Sequence, residues 1–275
     1  MKLCPAIILI GLTLCSCQTG SINEQVADRK EVSNENLVMA TLYNYYSAEY
    51  KALAYQAYNL AEKWVDEVAS SGRDVSKLAV VVDIDETILD NSPYQGLLAT
   101  SGISYPEKWN EWCNMSVAKA VPGALEFLNN ADSLGFAIFY ISNRKQAETG
   151  EGTLTNLALL GFPQLDAGKL MLRLPQSDDN PDPSNKDSRR SLVQREGYEI
   201  ILFIGDNLGD FFSDSTFSNE RINQVESNSD DFGMKFIVLP NAMYGNWTGS
   251  LGIPGGKRII DSLLSEMTRM FRSEE

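Results

Sequence analysis

Apolar, aromatic and small residues recur near helical spacing from Asn36 to about Ser70, at Leu37, Thr41, Tyr45, Ala48, Ala52, Tyr55, Leu60, Trp64 and Val68, with no proline or glycine between them. The pattern predicts one long helix or two consecutive ones, ended by "SSGRD", and their tyrosines and alanines read as packing against a neighbouring layer. Beyond this the period changes. Continuous apolar, β-branched runs, "KLAVVVDID", "GFAIFYISN", "KLMLRL", "YEIILFIGD" and "MKFIVLPN", alternate with helical patterns in "VPGALEFLNNADSLG", "AETGEGTLTNLALLG" and "SRRSLVQREG". Pro122 is placed as a first-turn proline of the first of these helices. Strands without polar alternation, separated by helices, predict an α/β fold whose parallel sheet is covered on both faces. The C-terminal "KRIIDSLLSEMTRMF" is amphipathic and is expected to lie on that sheet. "QSDDNPDPSNKD" is expected to be a polar surface loop, and no internal repeat is present.

The N-terminal "MKLCPAIILIGLTLCSCQTG" has a different layout: one basic residue, an apolar run from Leu3 to Leu14, then small residues around cysteine. That is the layout of a secretory signal, and the run is short of the ~20 apolar residues a membrane-spanning helix needs. Leu14, Cys15 and Ser16 precede Cys17 as a lipobox would, so residues 1–17 resemble a bacterial lipoprotein signal with Cys17 as the diacylated first residue of the mature chain; the alternative is an ordinary cleaved signal. A diacyl anchor suffices for stable membrane attachment. Residues 18–35, polar and without apolar periodicity, are expected to form a flexible tether. With the lipoprotein signal removed and Cys17 diacylated, Cys113 is the one thiol left and no intrachain disulfide can form. The rest of the chain suffices for one sizeable domain, or a domain with a cap.

Charge and composition narrow the chemistry. The formal charge is -14, which repels nucleic acid and gives no electrostatic attraction to anionic membranes. It leaves room for a small phosphorylated substrate, because a local cation outweighs distant charge screened over ~10 Å. The chain has no histidine. This excludes serine hydrolases with a histidine base, phosphohistidine phosphatases and zinc sites built on imidazole. Acid and base work must then fall to carboxylates, Lys, Tyr or Cys.

Three predicted strands end in polar clusters: Asp83 and Asp85 after "VVV", Ser142 and Asn143 after "FAIFYI", and Asp206 with Asp210 after "IILFIG". In open α/β sheets ligands bind outside the carboxyl ends of the strands, so the clusters are expected to converge. Two carboxylates ~4 Å apart repel by about 4 kcal/mol at an effective dielectric of 20. A hard cation offsets this, and an all-oxygen site with few protein ligands suits Mg²⁺. An isolated "DxD" is otherwise a solvated turn or a helix cap. A calcium loop would need glycine at its sixth position, where "DIDETI" has Ile88.

These motifs carry a resemblance. "DIDET", "ISNR", Lys186 in "NKDSRR" and "GDNLGDF" are similar to the four motifs of the haloacid dehalogenase (HAD) superfamily. "VVDIDETILDNSPY" and "ILFIGDNLGDF" resemble, more narrowly, the signatures of the class C nonspecific acid phosphatases, the lipoprotein e family, as do "LPNAMYGNW", "GYEI" and the lipobox. Ile88 departs conservatively from that signature, and the long loop before Lys186 leaves Lys169 as the alternative third-motif lysine. The resemblance implies a HAD-like Rossmannoid core over residues 74–275, with a small cap insertion at about 91–120 and a smaller helical cap built largely from the N-terminal helices at 36–73. It implies Asp83 as nucleophile and Asp85 as general acid and base. Ser142, Asn143 and Lys186 would hold phosphate oxygens. Mg²⁺ would be bound by the side chains of Asp83 and Asp206 and the main-chain carbonyl of Asp85, while Asp210 orients Lys186 or a metal-bound water. Substrates would be 5'-nucleoside monophosphates and aryl phosphates, with Tyr105, Trp109 and Tyr244 as ring-stacking candidates, each of which alone reads equally as core packing. Trp112 and Cys113 read as core. An outer-membrane lipoprotein with an acid pH optimum, and a homodimer as assembly, complete the expectation. A phosphotransferase on the same fold and a noncatalytic surface lipoprotein are the alternatives.

Overall fold

A computed structural model describes residues 35–166, 168–178, 181–213, 218–250 and 267–269. The signal segment with Cys17, the tether up to residue 34 and nearly all of the expected C-terminal helix lie outside the described residues. In chain order the elements are α1 (Glu35–Tyr46), α2 (Ala48–Ser70), β1 (Leu78–Val82), β2 (Leu89–Asp90), α3 (Ser92–Ser101), α4 (Trp109–Met115), β3 (Lys119–Ala120), α5 (Ala124–Ser133), β4 (Ala137–Lys145), α6 (Gln146–Leu160), β5 (Leu170–Arg173), α7 (Asp187–Arg195), β6 (Glu199–Gly205), α8 (Ser218–Ser227), β7 (Phe236–Val238) and α9 (Asn246–Ser250).

The central sheet has the order β5-β4-β1-β6-β7 and every pairing in it is parallel. β2 and β3 form a separate antiparallel pair. β1 is buried along its whole length because both faces are covered. Val80 and Val82 point into a core with Ala54, Tyr58, Ala61 and Val65 of α2 and Phe127 and Leu128 of α5. Ala79 and Val81 point the other way, to Phe139, Val193, Phe203 and Phe236. This two-sided burial is why the strands read as unbroken apolar runs.

The N-terminal helical pattern divides at Ser47, whose side chain accepts from Tyr50 N at 3.0 Å and caps α2. The two helices then go to different places. α1 packs on α3, whereas α2 lies on the sheet as a full core layer, with Trp64 Nε1 donating to Ile201 O at 2.9 Å. Of the pair expected to build a helical cap, α2 is thus part of the core layer and α1 packs beside α3. Pro122 also differs from expectation: it precedes Gly123, the N-cap of α5, which adopts φ 89. A side chain at Gly123 would crowd Tyr58 at 3.1 Å.

The stretch between β1 and β4 contributes α3 and α4, and α4 is held on α6 by backbone contact. Gly152 approaches so closely that a Cβ there would meet Asn114 Cα at 2.6 Å and Cys113 O at 2.7 Å. Ser116 Oγ donates to Gly152 O at 2.8 Å, and Asn156 exchanges hydrogen bonds with both backbone groups of Ala118. Gly152→Ala is expected to push α4 off α6 and to lower stability by about 1–3 kcal/mol. Calorimetry should read this as a fall of several degrees in Tm, and an unchanged Tm would mean that α4 shifts freely.

Candidate active site

Because β4, β1 and β6 are adjacent and parallel, their carboxyl ends lie on one edge of the sheet. Asp83 N donates to Ile204 O at 2.9 Å, extending the β1–β6 ladder one residue beyond the strand and fixing the aspartate on a rigid stem. A cavity of about 510 Å³ opens here, lined by Asp83, Asp85, Lys186, Asp206 and Asp210 among others. Lys186, the N-cap residue of α7, places Nζ between Asp83 Oδ1 and Asp210 Oδ1, the second at 2.6 Å. All three side chains are 7–8 % exposed. Asp210 is fixed in turn: its other oxygen accepts from Asn207 N at 3.0 Å. β6 ends in glycine for the same reason, since a Cβ on Gly205 would collide with the Asp210 carboxylate.

Asp206 accepts from Asn241 Nδ2 at 2.7 Å. Carboxylate oxygens of Asp83, Asp206 and Asp210 lie within 4.8 Å of one another. When all are ionised, three negative charges meet one ammonium and two remain uncompensated, which matches the charge of a divalent cation and its preference for oxygen donors. Without one the acids resist ionising. Burial pushes the Asp83 carboxyl up to about 7, with Asp210 and Asp85 adding to the effect and Lys186 opposing it. Burial, then Asp210 and Asp83, hold Asp206 well above the usual carboxylate range. Burial works against the Lys186 charge too, but Asp210 and Asp83 outweigh it and its pKa is raised.

The Asp85 side chain belongs to a different network. One of its oxygens accepts from Arg144 Nε at 2.9 Å and Nη2 at 2.8 Å and from Asn91 Nδ2 at 2.9 Å. Arg144 is buried, bonds Thr153 Oγ1 and Asn91 Oδ1, each at 3.2 Å, and lies 5.5 Å from the centre of the Trp109 ring. Asn91 is gripped from below by Glu86, whose carboxyl accepts from Asn91 N at 2.9 Å and Nδ2 at 3.3 Å. Glu86 sits at φ 53 and is 1 % exposed. Burial, with Asp85 and Asp206 next, raises its pKa well above the ordinary value. Two carboxylates one residue apart thus enter separate environments, one facing lysine and the carboxylate group, the other facing arginine.

The sequence model of the HAD superfamily, subfamily IIIB (acid phosphatase), matches residues 10–247. The chain belongs to this family. Class C acid phosphatase from Bacillus anthracis is 39% identical, with a TM-score of 0.73 over 80% of this chain and 89% of that one. Its structure with tungstate bound gives 37% identity and a TM-score of 0.75 over 84% and 96%. Stem 28 kDa glycoprotein of Glycine max is 37% identical over 139 residues, 47% of this chain and 51% of that protein. Acid phosphatase 1 of Solanum lycopersicum is 28% identical over 183 residues, 65% of this chain and 61% of that protein. The chain spans about half the length of the soybean relative and about three-fifths of the tomato one.

Within this subfamily IIIB chain the remaining expected residues take distinct places. Tyr105, Trp109 and Tyr244 all line the cavity, with the Tyr105 and Trp109 rings 6.0 Å apart. Asn143 lines it as well, its amide donating to Ser184 O at 2.9 Å and accepting from Arg189 Nη2 at 2.6 Å. Ser142 is fully buried, its Oγ accepting from Arg144 N at 3.2 Å and lying 3.4 Å from Asp85, which puts it behind Asp85. Lys169 lies over the rings of Phe139 and Tyr198, at 3.7 and 4.6 Å, and of these two lysines it is Lys186 that reaches the aspartates. Trp112 packs on the core and donates Nε1 to Asn91 Oδ1 at 2.8 Å; Cys113 is buried.

Sequence reasoning passed over the arginines. Arg189 donates to Ser142 O and to Asn143, and Arg190 donates to Gly209 O and Asp210 O, each at 2.8 Å. Together they tie α7, and so Lys186, to the ends of β4 and β6. Burial pulls the Arg189 pKa down to about 10. The available signal was the position of these residues, with Arg144 directly after "ISN" and the Arg pair three residues beyond Lys186.

Proposed function

We propose that the protein is a Mg²⁺-dependent acid phosphatase that hydrolyses phosphomonoesters, 5'-nucleoside monophosphates among them, through an aspartyl-phosphate on Asp83. The observation that carries this reading is the Asp83–Lys186–Asp210 bridge beside Asp206, with Asp85 held separately by Arg144. Asp83, Asp206 and the main-chain carbonyl of Asp85 are the groups that would hold the cation, which when bound supplies positive charge to the phosphoryl oxygens. An Asp83 oxygen attacks phosphorus in line, forming the P–O bond as the ester P–O bond breaks. The departing alcohol oxygen takes the electron pair and a proton from Asp85. Asp85, now a carboxylate, takes a proton from water, whose oxygen attacks phosphorus and returns Asp83 with release of phosphate. Lys186 balances charge on Asp83 and on the equatorial oxygens throughout. A carboxyl that must donate a proton works best under mildly acidic conditions, which accounts for phosphatase chemistry in a chain without histidine.

Support for nucleotides comes from the cavity walls. Its volume suits a small ligand, and Tyr105, Trp109 and Tyr244 line it; a base stacked on an aromatic ring gains about 1–3 kcal/mol whatever its identity. The test is a phosphate-release screen over 5'-nucleotides, sugar phosphates and aryl phosphates from pH 4 to 8. Release from nucleotides and aryl phosphates should peak below pH 7, fall at least about 100-fold in EDTA and return with Mg²⁺. EDTA-resistant turnover, or a profile flat to pH 8, would sink the reading.

The lipobox ending at Cys17 extends the proposal to a lipid-anchored protein of the outer membrane. Cys17→Ser should lose incorporation of labelled palmitate and leave the membrane fraction. Retention there would remove the anchor.

A further inference from the structure

Gln95 stands one helical turn beyond Asn91, its N–H donating to the Asn91 carbonyl at 3.1 Å. Residues four apart share a helix face, so Gln95 extends the side on which Asn91 holds Asp85, and it lines the cavity. It is 5 % exposed. Even so, among the described residues its side-chain amide takes part in no hydrogen bond, and the amide is not among the polar atoms sealed from solvent. Two other amides on this cavity are engaged: Asn143 donates to Ser184 O, and Asn207 accepts from Gly209 N. A nearly buried amide has two donors and one acceptor to satisfy, and a ligand bound in the cavity is placed to supply their partners.

We propose that Gln95 is a specificity-determining residue whose amide hydrogen-bonds a hydroxyl or ring-amide group on the alcohol portion of the phosphomonoester. This rests on the reading of the cavity as a phosphomonoesterase site. The phosphate end of that site is taken by Lys186 and the aspartates. Asp85, which faces the departing alcohol oxygen, shares its side with Gln95, so the groups within reach of Gln95 belong to the alcohol. A neutral amide both donates and accepts, which fits a hydroxyl or a base edge and gives nothing to an unsubstituted phenyl ring. The site would therefore favour nucleoside-like esters over simple aryl phosphates by a hydrogen bond that the latter cannot make.

Gln95→Leu keeps the volume and removes the donors and the acceptor. For this variant the ratio of kcat/KM for a 5'-nucleoside monophosphate to kcat/KM for phenyl phosphate should fall about tenfold, mostly through KM. Equal changes on the two esters, including no change, overturn the proposal. Gln95→Met repeats the measurement if the leucine variant loses its thermal transition. A binding arm separates this assignment from the phosphatase reading. Mg²⁺-loaded Asp83→Asn protein, with and without Gln95→Leu, is titrated calorimetrically with the nucleotide. If the wild type releases phosphate from neither ester, the phosphatase reading fails. Gln95 is then upheld by about tenfold weaker nucleotide binding and overturned by equal binding.

Discussion

Asp83→Asn is expected to reduce kcat by about 10⁴-fold or more, as loss of a covalent nucleophile does, and at the same time to raise the Tm of the metal-free protein at pH 8. The two effects share one cause. Asp83 is placed by the β1–β6 ladder in a pocket where burial, Asp210 and Asp85 outweigh Lys186 and lift its carboxyl to about 7. A carboxyl raised above its unfolded value of about 3.9 binds its proton more tightly in the folded chain. Ionising it therefore costs stability, which falls as pH rises from about 4 to about 7, with the full penalty present above 7. Asparagine removes that penalty at the expense of the bond to Lys186, for a net gain on the order of 2 kcal/mol at pH 8. At pH 4 the gain should vanish. Excess Mg²⁺ should reverse the order, because a cation that needs Asp83 stabilises the wild type more than the variant. Scanning calorimetry in EDTA and in Mg²⁺ reads all of this. A variant less stable than wild type at pH 8 in EDTA would show that the lysine pairing outweighs burial.

The aspartates were legible because a buried run such as "LAVVV" has a defined end, and parallel strands bring their carboxyl ends to one edge. Covering both faces of the sheet made its strands visible as unbroken apolar runs. The destination of α2 was not legible. Its stripe of Ala54, Ala57, Ala61 and Val65 says that one face is buried, and does not say whether the partner is a sheet or a cap. Lys186 follows a long polar loop, so the sequence favoured it with Lys169 as the fallback, and only the fold sends one to the aspartates and the other to two aromatic rings. The Glu86–Asn91–Asp85–Arg144 network is beyond sequence reasoning for a similar reason. It depends on Glu86 adopting a left-handed backbone and on an arginine 59 residues away turning inward. The unpartnered amide of Gln95 becomes visible only once every neighbour's hydrogen bonds are accounted for.

Lys186→Met should be the costliest single change for stability and should also cut turnover, with a stability effect opposite in sign to that of Asp83→Asn. The ammonium bridges two buried carboxylates, and removing the cation of a buried pair strands the anions, at about 3–5 kcal/mol. For a domain of this size that is roughly 10 °C in Tm. The kcat should fall about 10²–10³-fold, the usual effect of losing one preorganised charge at a transferring group. Asp83 supplies the distinguishing readout. Lys186 is the group that opposes the rise of its carboxyl, so without the lysine the carboxyl moves above 7 and less of the nucleophile is ionised at a given acid pH. The acid limb of the residual pH–rate profile should therefore move toward higher pH at a fixed Mg²⁺ concentration. Arginine should not rescue, since its planar fork is larger than the gap that a single ammonium bridges. An acid limb unchanged in position and merely lower in height would mean that Lys186 acts on the phosphoryl oxygens alone. In the double variant Asp83→Asn/Lys186→Met only Asp210 remains of the two bridged carboxylates, so its Tm should lie above that of Lys186→Met. If the two losses simply added, Asp83 and Lys186 would be energetically independent, and the bridge would not govern the ionisation of the nucleophile.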